Sequence, residues 1–175
     1  LHLQAAAPQS GTAGETIESV VDDLDDVIMQ IRSSIFQLRP TPGGARAAIL
    51  DVVGEARRGL GFGPHVVFDG LVDSLSGDDV LVDLTAVLRE ALSNVAKHAD
   101  ASAVEVLVDA RGDDLRLRVT DNGRGLGPLT RTSGLANIRA RAEDRSGSLT
   151  IGAGPGGRGT RVDWRVPLRH AGSPG

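Results

Sequence analysis

VTDNGRGLGPL, residues 119–129, ends a run of alternating apolar and polar residues with Asp121 and Asn122, then places glycines at 123, 125 and 127. In a strand, successive side chains point to opposite faces. Leu115, Leu117, Val119 and Asp121 therefore share one face, and Arg116, Arg118 and Thr120 share the other. The apolar face is the core face, so this strand delivers a carboxylate to the core side at its tip. A carboxylate buried there without a partner is costly, or is forced to take up a proton. Two partners are open to Asp121. One is a backbone amide of the following turn, since Asp-Asn-Gly is a common turn sequence; the other is a ligand that the bare glycines allow to approach.

Working outward, AVEVLVDA (103–110) alternates in the same way and is joined to the decisive strand by RGDD, which predicts an antiparallel hairpin. Upstream, Ala45–Leu60 reads as a helix, 64–70 as a strand and Asp79–Ala99 as a long amphipathic helix. Downstream, Leu135–Arg145 reads as a short helix and 148–152 as a strand. The last strand, 160–168, has Val162, Trp164 and Val166 on one face, and the glycine-rich AGPGGRG forms the turn before it. Antiparallel strands alternating with helices predict an α+β fold, a two-layer sandwich with helices on one face of a mixed sheet.

The helix before the hairpin carries a second chemical signal. In LREALSNVAKHA (88–99), Leu88, Ala91, Leu92, Val95 and Ala99 make the apolar face, and Glu90, Asn94 and Lys97 fall at i, i+4 and i+7 on the other. Such a row is commonly a solvated helix face. It also supplies what a magnesium–nucleotide site needs: an oxygen ligand for a hard cation, a carboxylate able to act as base, and a cation for phosphate. Lys97 is the one lysine in a chain with eighteen arginines.

Composition narrows the function classes. The 175 residues, 40% apolar, suffice for one domain and an appendage, and cysteine is absent, which excludes disulfides and thiolate metal sites. No apolar run approaches the roughly 20 residues of a bilayer span, so no membrane contact is expected. Aromatic content of 2% provides no base-stacking platform, so nucleic acid is not an expected partner. Charge is uneven. Residues 124–170 hold nine arginines against Glu143, Asp144 and Asp163, a field that suits an anionic ligand or reflects ordinary solvated arginines. Residues 15–26 carry six acids and no base.

That acidic stretch opens a heptad. Ile17, Leu24, Ile31 and Leu38 are seven apart, with Val21, Ile28 and Ile35 on the adjacent seam, the pattern of a helix packed lengthwise on other helices. Thr12 and Glu15 resemble a capping box, and Pro40 and Pro42 stop the helix. Such a seam predicts a helical hairpin completed by upstream sequence and by a second copy of the chain, with a helix lying on its own domain as the alternative. Because the sequence starts at Leu1 and not at a methionine, a piece of a longer protein is expected.

In order, Glu90-x-x-x-Asn94-x-x-Lys97-His98-Ala99, Asp121-x-Gly123-x-Gly125, Ser133-Gly134-Leu135 and Gly159-Thr160 resemble the N, G1, G2 and G3 boxes of the GHKL ATPases. That superfamily has the Bergerat-type ATP-binding fold and includes gyrase-type ATPases, heat-shock-ninety chaperones, MutL-type repair proteins and histidine kinases. QIRSSIFQLRP and the KHA ending are similar to the nitrate-sensor-like class of sensor histidine kinases, and within it to the mycobacterial dormancy and hypoxia sensors. The resemblance implies partial dimerisation helices over 1–42, a catalytic ATP-binding domain over 43–170 and a tail over 171–175.

It also implies ATP and Mg²⁺ as cofactors, a homodimer, a response regulator as partner and a cytoplasmic location. By the same resemblance Asp121 accepts from the adenine amino group, Gly123 and Gly125 let the loop pass the base, and Thr160, after Gly159, supports that contact. Asn94 binds Mg²⁺, Glu90 is the catalytic base or polarises the acceptor, Lys97 and His98 lie near the phosphates, and Ser133, Gly134 and Leu135 open a helix whose amides meet phosphate. The segment LGPLTRTS departs from many relatives: twelve residues separate Asp121 from Gly134 and none is phenylalanine, so a short nucleotide cover is expected. The acceptor histidine of the class is expected upstream, since none of the four histidines here has its surroundings. A nucleotide-driven conformational switch without kinase activity is the alternative that the resemblance leaves.

Overall fold

The computed structural model describes residues 44–75, 79–125 and 133–168. The expected dimerisation arm over 1–42, the tail, the short nucleotide cover and the Ser133 side chain lie outside the described residues.

Helix α1, Gly44–Leu60, buries Ala45, Ala48, Ile49, Val52 and Val53, the i, i+3/i+4 stripe of an amphipathic helix, and carries Arg57 and Arg58 in its last turn, where the macrodipole favours cations. Strand β1 (His65–Gly70) and a 3₁₀ turn (Val72–Leu75) lead to α2, Asp79–Asn94, which buries Val80, Leu84, Val87, Leu88, Ala91 and Leu92. Strands β2 (Val104–Ala110) and β3 (Asp114–Asp121) form the expected hairpin. Helix α3 (Ser133–Asp144), β4 (Ser148–Ala153) and β5 (Thr160–Pro167) complete the domain.

The sheet has the order β1-β2-β3-β5-β4, with β1 parallel to β2 and the other neighbours antiparallel. One core joins the three helices to the inward faces of the strands: Val104, Val106 and Val108, then Leu115, Leu117 and Val119, then Trp164 and Val166. Register puts Leu117 opposite Trp164 and Val119 opposite Val162, so these cross-strand pairs on the buried face are apolar. The α+β two-layer sandwich expected from the alternating pattern is the observed architecture.

The opposite face of the sheet carries several charge pairs. Asp163 on β5 takes Nε of Arg116 at 2.8 Å and Nε of Arg118 at 3.0 Å, both from β3. Burial would raise the Asp163 carboxyl, but the two guanidiniums outweigh it and hold it below the usual carboxylate range. Hydrogen bonding to Asp163 in turn raises the Arg116 guanidinium. On β2, Asp109 is held low by its hydrogen bond from Arg111.

The long helix expected over 79–99 changes character near its end. It is α-helical to Asn94, and Val95–Ala99 continues as a π-helix, with Asp100 closing it in the left-handed region at φ 49°. The regular Glu90–Asn94–Lys97 row is therefore interrupted after Asn94. The loop after β3 supplies a physical reason, because it takes the carbonyls that a helix end leaves unpaired: Arg124 N donates to Ala99 O at 2.8 Å and Arg124 Nε to His98 O at 2.6 Å.

Candidate functional site

Asp121 ends β3 on the buried face, 4% exposed. Gly123 N donates to its Oδ1 at 2.8 Å, so the turn amide satisfies one carboxylate oxygen. No further hydrogen bond to this carboxylate is seen among the described residues. Of the two partners open to Asp121 on sequence grounds, the turn amide is the one observed.

The loop that carries Asp121 is fastened on two sides. On one side Asn122 Oδ1 accepts from Ser102 N at 3.0 Å and Ala103 N at 2.9 Å, while Nδ2 donates to Ser102 Oγ at 3.0 Å. Gly123 packs so closely on the end of the π-helix that an added Cβ would stand 2.1 Å from Ala99 O. On the other side Gly159 N donates to Gly123 O at 3.0 Å. Gly159 has φ 65°, and a Cβ there would lie 1.9 Å from Asp121 O, so both conformation and space require glycine. Gly125, at φ 80°, passes beside Gly159 O. Thr160 follows as the first residue of β5; carrying the Thr120–Arg161 register one step further sets Thr160 beside Asp121 on the same face. Residues almost 40 positions apart are thereby held together in one corner.

A second group forms along α2. Glu90 and Asn94 are half-buried, one helical turn apart. Among the described residues the Asn94 amide nitrogen is buried without a hydrogen-bond partner. Gly134, at the start of α3, faces Glu90: an added Cβ would stand 1.6 Å from Glu90 Oε1. Leu135 is partly buried against the core beside it. Helix α3 is tied to α2 by Asp83, which accepts from Arg141 Nη1 at 2.6 Å and from Arg145 Nε. Two arginines of the basic C-terminal third therefore serve internal pairing. Lys97 and His98 lie on the exposed π-turn between the two groups.

The structure thus gathers Asp121, Gly123, Gly125, Gly159 and Thr160 at the ends of β3 and β5, and Glu90, Asn94 and Gly134 between α2 and α3. The Gly123–Ala99 contact joins the two groups. Sequence reasoning missed Asn122, Asp83 and Arg124. For Asn122 the available signal was parity: it falls opposite Asp121 at the strand end, where an amide side chain readily bonds a neighbouring backbone. The partners of Asp83, 58 and 62 residues away, leave no local trace.

Residues 79–170 match the family described as histidine kinase-, DNA gyrase B- and HSP90-like ATPases. The chain is 30% identical over 161 residues to the sensor histidine kinase YxjM of Bacillus subtilis (strain 168), covering 88% of this chain and 38% of that protein. It spans about two fifths of the length of the first curated relatives it matches. Among solved structures it resembles the blue-light activated histidine kinase of Erythrobacter litoralis EL346, with TM-score 0.66 and 18% identity over 97% of this chain and 67% of that one. It also resembles the ATP-binding domain of PrrB from Mycobacterium tuberculosis, with TM-score 0.53 and 20% identity over 71% of this chain and 93% of that one. Fold, ordered boxes and family match agree, and the chain belongs to the histidine kinase-, DNA gyrase B- and HSP90-like ATPases.

Proposed function

We propose that the chain is the ATP-binding catalytic region of a sensor histidine kinase, moving the γ-phosphoryl of ATP to a histidine on a dimerisation helix for onward transfer to a response-regulator aspartate. The observation that carries this reading is Asp121: a carboxylate 4% exposed at a strand tip, with one oxygen held by Gly123 N and the loop around it fixed by glycines. An acceptor presented from a rigid frame suits the adenine amino group, with Thr160 beside it. Glu90 and Asn94 together favour a kinase over a nucleotide-driven switch, since a switch has no need of a base.

The donor set fits Mg²⁺. The Asn94 side chain has a buried amide nitrogen with no partner among the described residues, and half a turn about χ2 presents Oδ1 at the same point. Among the described residues no three carboxylates or histidines converge, and Mg²⁺ is commonly held by one or two protein oxygens together with nucleotide phosphates and water. When bound, the ion neutralises charge on the phosphates. The chain's own residues do the rest. Glu90 accepts or polarises the proton of the acceptor imidazole, Lys97 offers positive charge and His98 a ring N–H from the π-turn, and the backbone amides of Ser133, Gly134 and Leu135 open α3 toward the phosphates.

QIRSSIFQLRP and KHA support placement in the nitrate-sensor-like class, akin to the mycobacterial dormancy and hypoxia sensors, with the heptad of residues 17–38 forming a homodimer arm. No helix among the described residues is long and apolar enough to cross a membrane. With ATP as phosphoryl donor and a response regulator as receiver, the work belongs in the cytoplasm.

Asp121→Asn tests the reading. It keeps the shape but exchanges an acceptor oxygen for a donor facing the adenine amino group, so ATP affinity should fall by roughly 1 to 3 kcal/mol in calorimetry. Unchanged affinity would remove Asp121 from the adenine contact and the proposal with it.

A further inference from the structure

Gly134 is buried, and its φ lies outside the left-handed region, so backbone conformation does not call for glycine there. Space does. An added Cβ would stand 1.6 Å from Glu90 Oε1 and 2.5 Å from its Cδ, far inside the roughly 3.5 Å at which heavy atoms touch. The volume that any other residue would fill is occupied by the Glu90 carboxyl group itself.

The surroundings keep it there. Asp83 and Glu90 are seven residues apart on α2, two turns along one face, and Gly134 and Arg141 are seven apart on α3. Asp83 meets Arg141 while Glu90 meets Gly134, so the two helices run antiparallel with matched spans of roughly 10 Å. Arg145 adds a second bond to Asp83. Helix α3 cannot draw back from Glu90 without loosening this charge clamp.

We propose that Gly134 is a positioning residue: its missing side chain is the seat of the Glu90 carboxylate, and the Asp83–Arg141–Arg145 clamp holds that seat in register. Helix α3 thereby sets where Glu90 points. The catalytic meaning of that orientation rests on the kinase reading, whereas the seat itself does not.

The test is a cycle on the full 175-residue chain, combining Gly134→Ala with native Glu90 and with Glu90→Ala. In thermal melts without nucleotide, Gly134→Ala should lower the midpoint slightly when Glu90 is present, because the flexible Glu90 carboxyl has to swing out of its place. In the Glu90→Ala background it should leave the midpoint unchanged or raise it, because alanine is the better helix former once the obstruction is gone. An equal drop in both backgrounds would overturn the seat. Should Gly134→Ala fail to fold, recovery of folding in Glu90→Ala/Gly134→Ala supports the seat and a failure there too overturns it. With ATP and a dimerisation helix bearing the acceptor histidine supplied in trans, Gly134→Ala should lower kcat at least tenfold while KM for ATP stays within about threefold. A parental kcat would overturn the positioning role. If the parent itself transfers nothing, the kinase reading falls and the melting cycle alone decides the seat.

Discussion

Asn122 holds the site loop through three side-chain hydrogen bonds to residues 19 and 20 positions upstream. Asn122→Ala gives up its bonds to the exposed Ser102 and Ala103 amides, which water then meets, so it should cost about 0.5 to 1.5 kcal/mol in urea titration and weaken nucleotide binding, since Asp121 is its neighbour. Asn122→Asp keeps the acceptor and should lose less; equal losses would mean that the bonds to the two amides are not what matters. At Asn94 the expected change is chemical: Asn94→Ala should blunt the magnesium dependence of ATP binding while leaving adenosine binding intact. A variant whose magnesium response matched the parent would take Asn94 out of the metal site. Asp121 was legible in the sequence because alternation assigns a strand residue to a face. The seat of Glu90 was not, because no pattern within α2 or α3 tells which residue of one helix lies over which of the other.

Among the elements, helix 79–99 was legible from its apolar period, but its passage from α to π at Asn94 was not. That change answers to a loop more than 20 residues later, whose Arg124 takes the last carbonyls. Asp100 ends the π-turn at φ 49°, a conformation that a short polar side chain tolerates and a β-branched one does not. Asp100→Val should therefore destabilise by about 1 to 2 kcal/mol and Asp100→Gly should be neutral or slightly stabilising, both read by denaturant melts. Between β3 and β5 the bridging element is Asp163. Its carboxyl is more acidic in the folded protein than in the unfolded chain. The stability it contributes is complete above the unfolded value of about 4, and is lost as pH falls through the lower folded value. Asp163→Asn should thus cost about 1 kcal/mol at neutral pH, and the gap between parent and variant should close in acid. A gap of constant size down to pH 2 would show that the charge on Asp163 is not the source.

At the scale of the molecule, the histidines decide what the chain does by itself. His65 begins β1 and His98 sits on the π-turn, while His2 and His170 lie outside the described residues. In-line transfer needs an imidazole nitrogen held at the γ-phosphate, and by sequence none of the four is expected to be the acceptor. With labelled ATP the 175-residue chain should bind nucleotide without labelling itself, yet label an acceptor helix added in trans. Acid-labile phosphate on His2 would move the acceptor assignment to that residue. The order β1-β2-β3-β5-β4 carries one more consequence. Strand β3, which bears Asp121, is the middle strand, whereas β1 and β4 are the edges. Amide hydrogens of Leu117 and Val119 should then exchange with deuterium only through global unfolding, while those of β1 and β4 escape through local opening. Asp121, proposed to meet the base, is thus mounted on the strand expected to exchange slowest, so added nucleotide should bring little extra protection there.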